Sequence, residues 1–135
     1  MGRDVDSSRE GLTVFLTVDQ VIRYHDRESD AELNDRGKLE GAVSRPMSGF
    51  GGHLVHPTLW AQAAALLHGI DRAQAFGDGN KRTAWFSTTA FLRANGFRVT
   101  VSQQSAYEFS RSVGRGELEV PEIAMWLFRN AEQLP

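Results

Sequence analysis

The segment Gln74-Ala-Phe-Gly-Asp-Gly-Asn-Lys-Arg82 stands directly before an apolar helical pattern that we expect to run from residue 83 to about residue 95. Its glycines, Gly77 and Gly79, permit backbone conformations that a side chain would obstruct. The following helix directs its first free N–H groups and the positive end of its dipole back toward this segment. Segment 74–82 therefore predicts an anion-binding site at a helix start.

The charged residues of segment 74–82 refine this prediction. Lys81 and Arg82 add two cations, whereas Asp78 would be repelled by a bare phosphate, so its presence indicates a bridging divalent cation such as Mg²⁺. We therefore predict Asp78 as the metal ligand, and a polyphosphate site formed by the loop with Gly77 and Gly79 together with Lys81 and Arg82. On residue types alone, an ordinary turn before a solvated helix start stays open as the alternative.

Segment 74–82 also resembles the signature of the Fic/Doc family, which has the form His-x-Phe-x-Asp-x-Asn-x-Arg. Four residues fall on their expected positions: Phe76, Asp78, Asn80 and Arg82. Lys81 matches the Asn-Lys-Arg form of the Doc (death-on-curing) branch, whereas the Fic branch that transfers AMP has glycine there. The similarity extends to residues 15–17, 34–46 and 91–96, so it covers most of the chain.

Gln74 departs from the family pattern, because it occupies the position of the histidine that acts as the general base. Glutamine does not titrate near neutral pH and cannot accept the proton, although it keeps a donor and an acceptor of similar reach. Losing a general base typically costs about 100- to 10,000-fold in rate. We therefore expect this sequence to be catalytically impaired, either as a natural variant or through a deliberate His→Gln change that permits production of a toxic protein.

The resemblance implies a Doc-like toxin of a toxin–antitoxin module that transfers phosphate from ATP to a hydroxyl of a translation protein. Elongation factor Tu is the family's target, a Phd-type antitoxin its partner, and ATP and Mg²⁺ its cofactors. The catalytic residues implied are Gln74, Asp78, Lys81 and Arg82. The resemblance also implies that Asn80 binds phosphate oxygens of the cofactor, together with Gly77, Gly79, Lys81 and Arg82. Two alternatives stay open: a Fic-type nucleotidyltransferase that moves AMP or another nucleotide onto a protein hydroxyl, and a non-catalytic module that binds a nucleotide or a partner.

Composition narrows the class of protein. The chain has 135 residues, 41% of them hydrophobic and 24% charged, as expected of a single globular domain, which we assign to 12–135 after a polar, mobile leader at 1–11. A net charge of -2 argues against direct nucleic-acid binding, and the absence of cysteine excludes a disulfide framework. No apolar run approaches the roughly 20 residues of a membrane span. We expect a cytoplasmic protein without membrane contact.

Apolar periodicity predicts an all-α fold, a compact bundle of roughly five to six helices with at most a short strand or hairpin. Thr17 and Gln20 predict a capping box, and Asp35 and Ser102 predict two further helix caps. We place Pro57 in the first turn of the helix that leads to Gln74. The helix after segment 74–82 is predicted to be the central one, and the last helix to carry its apolar face through residue 131.

The four histidines are interpreted separately. His25 has no ligand partner at suitable spacing and is predicted to be a partly buried helix residue. His53 and His56 lie beside glycines and Pro57, which argues against a helical metal site. His68 is predicted to be structural rather than a substitute base for Gln74. Residues 47–56 form either a plain connection or, by the resemblance, a flap that positions the target.

Overall fold

The computed structural model describes residues 13–135, and within them the chain folds into six α-helices. The helices are α1 Val18–Asp26, α2 Arg36–Ser44, α3 Leu59–Ala73, α4 Asn80–Ala94, α5 Gln103–Gly114 and α6 Val120–Arg129, with a 3-10 turn at Arg45–Met47 after α2. This confirms the predicted helical bundle. None of these helices is long and apolar enough to cross a membrane.

Two short antiparallel strand pairs accompany the helices. β1 (Gly49–Phe50) pairs with β2 (His53–Leu54) in a hairpin, and β3 (Phe97–Val99) pairs with β4 (Ala131–Gln133). The assignment of residue 131 to the last helix is wrong, because α6 ends at Arg129 and Ala131 lies opposite Val99. Pairing with β3 supplies backbone partners that a further helical turn would otherwise provide.

Side-chain caps set where the helices begin. The capping box of α1 is confirmed, since Thr17 N donates to Gln20 Oε1 at 2.8 Å and Gln20 N donates to Thr17 Oγ1 at 3.1 Å. The caps predicted at Asp35 and Ser102 are present as well. Pro57 is not in the first turn of α3, because Thr58 caps that helix by accepting from Ala61 N at 3.0 Å.

Helix α3 lies at the centre of the bundle. Eleven of its fifteen residues are buried, against seven of fifteen in α4, so the expectation that α4 is the central helix is wrong. The alanine run 63–65 is completely buried, and its small side chains let neighbouring helices approach closely. Helix α3 packs against α2, α4 and α6, which fixes the direction in which its last turn delivers the chain to Gln74.

The turn after α4 ties together two distant parts of the chain. Val14 N donates to Asn95 Oδ1 at 2.8 Å, and Leu134 N donates to Gly96 O at 2.8 Å. Gly96 has a φ of +95°, the left-handed conformation in which glycine commonly ends a helix. The predicted leader at 1–11 lies outside the described residues, and the single-domain assignment of 12–135 stays a prediction.

Candidate active site

Gln74 ends α3 in a left-handed backbone conformation. With φ 47° and ψ 44°, it is the single non-glycine residue with positive φ among residues 13–135. Its Nε2 donates to Asp71 O at 2.7 Å. Such a conformation costs on the order of 1–3 kcal/mol in a non-glycine residue and tends to persist at functional sites. The backbone thus carries strain at the position that the sequence assigns to the general base.

The two glycines of segment 74–82 have different roles. Gly79 has a φ of +81°, and an added Cβ would lie 3.3 Å from the ring of His25 and from Ser29 Cβ, so glycine is needed there. Gly77 is not in the positive-φ region, and a Cβ would meet its nearest atom, Asn34 Nδ2, at an ordinary 3.5 Å. The conformational argument therefore holds for Gly79 and is wrong for Gly77.

Helix α4 begins at Asn80, three residues earlier than the sequence pattern indicated. The first hydrogen bond across this start runs from Thr83 N to Gly79 O, at 2.9 Å. The main-chain N–H groups of residues 80–82 therefore precede the intrahelical ladder, and they point with the positive end of the helix dipole toward the preceding loop. Such a helix start is suited to binding phosphate.

The side chain of Asn80 hydrogen-bonds to the main chain of the loop that precedes it. Its Oδ1 accepts from Phe76 N at 3.0 Å, and its Nδ2 donates to Phe76 O at 2.8 Å. Asn80 and Phe76 are both buried, so these bonds satisfy main-chain groups that water does not reach. The phosphate contact predicted for Asn80 stays a prediction, and its main-chain N–H at the helix start is the group best placed for it.

The two cations of the segment extend to opposite sides of the helix start. Lys81 Nζ lies 3.8 Å from Oδ1 of buried Asp71, and Arg82 Nη1 lies 3.5 Å from Glu28 Oε1. Both side chains are more than half exposed, so both remain accessible to an anionic ligand. A Cβ on Gly114, at the end of α5, would overlap Lys81 Nζ, so the absence of a side chain there leaves room for the lysine.

The residues around Asp78 would fit a magnesium ion that is bound jointly by the protein and by phosphate groups. Asp78 is exposed immediately before the start of α4. Within the described chain, no cluster of three or more His, Cys, Asp or Glu residues could hold a metal without further ligands. Magnesium commonly binds through one or two carboxylates plus substrate phosphates, so a single carboxylate beside a phosphate-binding helix start matches its requirements.

Sequence reasoning missed the neighbours that hold the loop in place. Asn34 N donates to Ala75 O at 2.8 Å, and Gly77 N donates to Glu32 O at 2.9 Å. His25, predicted to be partly buried, is fully buried, and its Nε2 lies 2.9 Å from Asp78 O, across 53 positions of the sequence. Residue types do not reveal main-chain hydrogen bonds, so the sequence could not predict these two. For His25 there was a signal, because a single histidine on the core-facing side of a helix needs buried partners for its ring nitrogens.

His68 accepts a hydrogen bond, as expected of a structural histidine. Arg45 Nη1 lies 3.1 Å from His68 Nδ1, and because a guanidinium only donates, Nδ1 is the acceptor. Burial lowers the pKa of His68 below its ordinary 6.5, the positive charges of Arg45 and Arg72 lower it further, and Glu119 opposes them. The folded protein therefore favours neutral His68.

We expect the free energy of unfolding to fall as pH is lowered from 7.5 to 5.5. Below a pH of about 6.5 the unfolded chain protonates His68 more readily than the folded protein does, so the unfolded state binds more protons and is favoured. Urea denaturation at both pH values measures this decrease in the free energy of unfolding. The decrease should be smaller in His68→Gln. Exposed His53→Gln is the control, and equal pH dependence in parent and His68→Gln would contradict the expectation.

The β1–β2 hairpin lies within the region considered as a flap. Phe50 at its tip is 91% exposed, an unusual position for a large apolar side chain. The flap function stays a prediction.

Comparisons with known proteins show what this chain is similar to. A family model described as "Fic/DOC family" matches residues 15–92. The protein named Toxin Doc from Mycolicibacterium smegmatis is 43% identical over 90 residues, which span 65% of this chain and 69% of that protein. The protein named Protein kinase doc from Escherichia phage P1 is 28% identical over 119 residues, spanning 84% of this chain and 93% of that protein.

Proposed function

The chain belongs to the Fic/DOC family, in its Doc toxin branch, and from this we propose that it is a toxin whose chemistry is phosphate transfer from ATP to a protein hydroxyl. The observation that carries the proposal is the start of α4. An exposed carboxylate, Asp78, immediately precedes three main-chain N–H groups, and two exposed cations, Lys81 and Arg82, flank them.

Phosphoryl transfer is catalysed chiefly by positioning and by electrostatic stabilisation, and the residues of this site divide those tasks. Asp78 would hold Mg²⁺, which supplies charge neutralisation on the phosphates when bound. The N–H groups of residues 80–82 bind phosphate oxygens, and Arg82 clamps the polyphosphate with its guanidinium. Lys81 adds a point charge where AMP-transferring relatives have glycine, which favours a nucleotide orientation that presents the terminal phosphate.

The covalent step also needs a proton acceptor. The target hydroxyl oxygen forms a bond to the terminal phosphorus of ATP, the bond from that phosphorus to the bridging oxygen breaks, and ADP leaves. The hydroxyl proton must go to a base, which Gln74 cannot be. We therefore propose that the chain with Gln74 binds MgATP but transfers phosphate slowly, with elongation factor Tu in the cytoplasm as the target by family resemblance.

Arg82→Ala should weaken the binding of MgATP by about 10- to 100-fold, because a charge-assisted bond to phosphate contributes about 1.5–3 kcal/mol. Isothermal titration calorimetry of the unaltered chain and the variant measures the difference. Lys81→Ala should also weaken the binding of MgATP. Arg115→Ala removes an exposed arginine at the end of α5 and is the matched control.

Two results would contradict the proposal. One is MgATP binding that survives both Arg82→Ala and Lys81→Ala unchanged, because the nucleotide would then lie elsewhere. The other concerns the product of the Gln74→His variant, which restores the base. We expect the intact mass of its modified target to show an added phosphate. An added nucleotide would instead support the nucleotidyltransferase alternative.

We also propose that the partner is a Phd-type antitoxin that docks in a groove beside the site. The groove has a volume of about 330 Å³, and its lining includes Tyr24, Phe86, the three arginines Arg27, Arg93 and Arg98, and one carboxylate, Glu28, which pairs with Arg82. Phe86 lies one turn after Arg82 on α4 and is 37% exposed. Among residues 13–135, no carboxylate forms an ion pair with Arg27 or Arg93. This excess of positive charge around an aromatic surface fits an acidic segment that also carries an apolar side chain.

Arg93→Glu should weaken antitoxin binding by about 10-fold or more, since interface arginines often contribute more than 1 kcal/mol and the reversal adds repulsion. Calorimetry with the module's purified antitoxin measures the change. Arg111→Glu, an equal charge reversal on exposed α5, is the control. Equal affinities for Arg93→Glu and Arg111→Glu would place the partner on another surface.

A further inference from the structure

His25 is enclosed between α1 and the loop that precedes α4. It lies in the last turn of α1 with 0% exposure. Its ring stacks on the ring of Phe76, with centroids 3.7 Å apart and planes 10° from parallel. Both ring nitrogens face oxygen atoms: Nε2 lies 2.9 Å from Asp78 O, and Nδ1 lies 2.9 Å from Asp26 Oδ1. The ring is therefore fixed in both position and orientation.

The chemistry of these partners sets the direction of the hydrogen bond to the loop. A main-chain carbonyl oxygen only accepts, so the contact with Asp78 O requires a hydrogen on His25 Nε2. Asp26 approaches the ring from the opposite side, where its carboxylate limits rotation of the imidazole. A histidine held at one nitrogen so that the other performs a task is a recurring arrangement around functional sites.

Asp78, whose main-chain oxygen accepts this bond, lies where the loop turns into α4. It is followed by Gly79, whose left-handed backbone turns the chain into α4 and whose missing side chain makes room for His25. Main-chain bonds from residues 32–35 hold Ala75 and Gly77. Within the described part of the chain, His25 is, apart from Asn80 at the start of α4, the one side chain from another element that hydrogen-bonds to residues 74–79, and it holds the residue predicted to bind the metal.

We infer that His25 is a positioning residue: by fixing the main chain of Asp78 it holds that carboxylate beside the phosphate-binding start of α4. The inference rests on the proposed function, because it assigns His25 a task toward MgATP. It also has a consequence that needs no ligand. Without the bond from Nε2, the loop between Phe76 and Gly79 should open more often.

His25→Phe tests the bond while keeping an aromatic ring that can stack on Phe76. In the unliganded protein, amide hydrogen exchange of Gly77 and Gly79 should become about 10-fold faster, since a lost hydrogen bond weakens local closure. Amides in the buried middle of α3 should keep their rates. MgATP affinity should fall by about 10- to 100-fold, as is usual when a partner that orients a metal ligand is lost. Binding of ATP without Mg²⁺ should change less.

Two further variants make the test specific. His25→Gln retains an N–H that can reach Asp78 O but loses the stack on Phe76, so it should bind MgATP better than His25→Phe. His68→Phe replaces another histidine whose bond goes to Arg45, and it should leave MgATP affinity and loop exchange unchanged. If His25→Gln binds more weakly than His25→Phe, ring stacking rather than the hydrogen bond positions the loop, and the inference is overturned.

Failure of this inference is distinguishable from failure of the proposed function. If the unaltered chain binds no MgATP, the proposed function fails, and the exchange rates of Gly77 and Gly79 still decide whether His25 holds the loop. Unchanged exchange in His25→Phe overturns the inference. Exchange that accelerates equally throughout the molecule also overturns it, because His25 would then contribute to general stability only.

Discussion

Gln74→His should raise phosphate transfer by about 100- to 10,000-fold, because it restores a side chain that can accept the hydroxyl proton. Transfer of labelled phosphate from ATP to purified elongation factor Tu measures the gain, and arrest of growth on expression provides a cellular readout. The effect is expected on kcat more than on MgATP affinity, since the groups proposed to bind phosphate are unchanged.

The backbone at position 74 favours this result. Histidine and asparagine are found in the left-handed region several-fold more often than most residues, so histidine should fit the φ of 47° at least as well as Gln74 does. Gln74→Asn is therefore the matched control, because it is equally compatible with the backbone but has no titratable group. Activity that rises equally in Gln74→Asn would mean that backbone strain at Gln74, and not a missing base, limits phosphate transfer.

If Gln74→His neither modifies a protein nor slows growth while MgATP binding is normal, the transferase proposal fails. The fold would then be a nucleotide-binding or partner-binding module, the non-catalytic alternative.

Phe91→Ala should lower the free energy of unfolding by about 3–5 kcal/mol, the usual cost of removing a fully buried phenylalanine and leaving a cavity. Phe91 is 0% exposed in the middle of α4 and stacks against Phe15 with ring centroids 6.0 Å apart. Urea denaturation followed by circular dichroism measures the change in midpoint at constant slope.

Phe86→Ala is the comparison, because Phe86 lies five residues earlier on the same helix but is 37% exposed. Phe86→Ala should lower the free energy of unfolding much less than Phe91→Ala does, because it leaves no enclosed cavity. Similar losses for the two variants would mean that the buried face of α4 has been wrongly identified.

Local chemistry made much of the fold predictable. The capping box of Thr17 and Gln20 needs only residues three positions apart, so its signal is complete within the sequence. Ser102 and the Asn95–Gly96 helix end are local in the same way. β4 has no such signal, because its partner β3 lies about 34 positions earlier, as the Arg98–Glu132 contact shows.

The candidate site was predictable in its composition but not in its geometry. Segment 74–82 identified the charged residues, whereas the earlier start of α4 depends on Gly79 acting as the N-cap. The sequence did not show that the Asn80 amide would bind Phe76, or that Asp71 and Glu28 would lie beside the two cations. These contacts are set by how α1, α3 and α5 pack around the loop, which no short sequence window contains.

The bonds of Val14 to Asn95 and of Leu134 to Gly96 bring two distant stretches of chain to neighbouring residues. A linker from Leu134 to Val14 could therefore be short. The exposed Gly51–Gly52 turn of the β1–β2 hairpin then offers a place for new ends, since exposed turns tolerate such cuts. A circularly permuted chain opened there should keep both α3 and α4 continuous, and the loop between them intact.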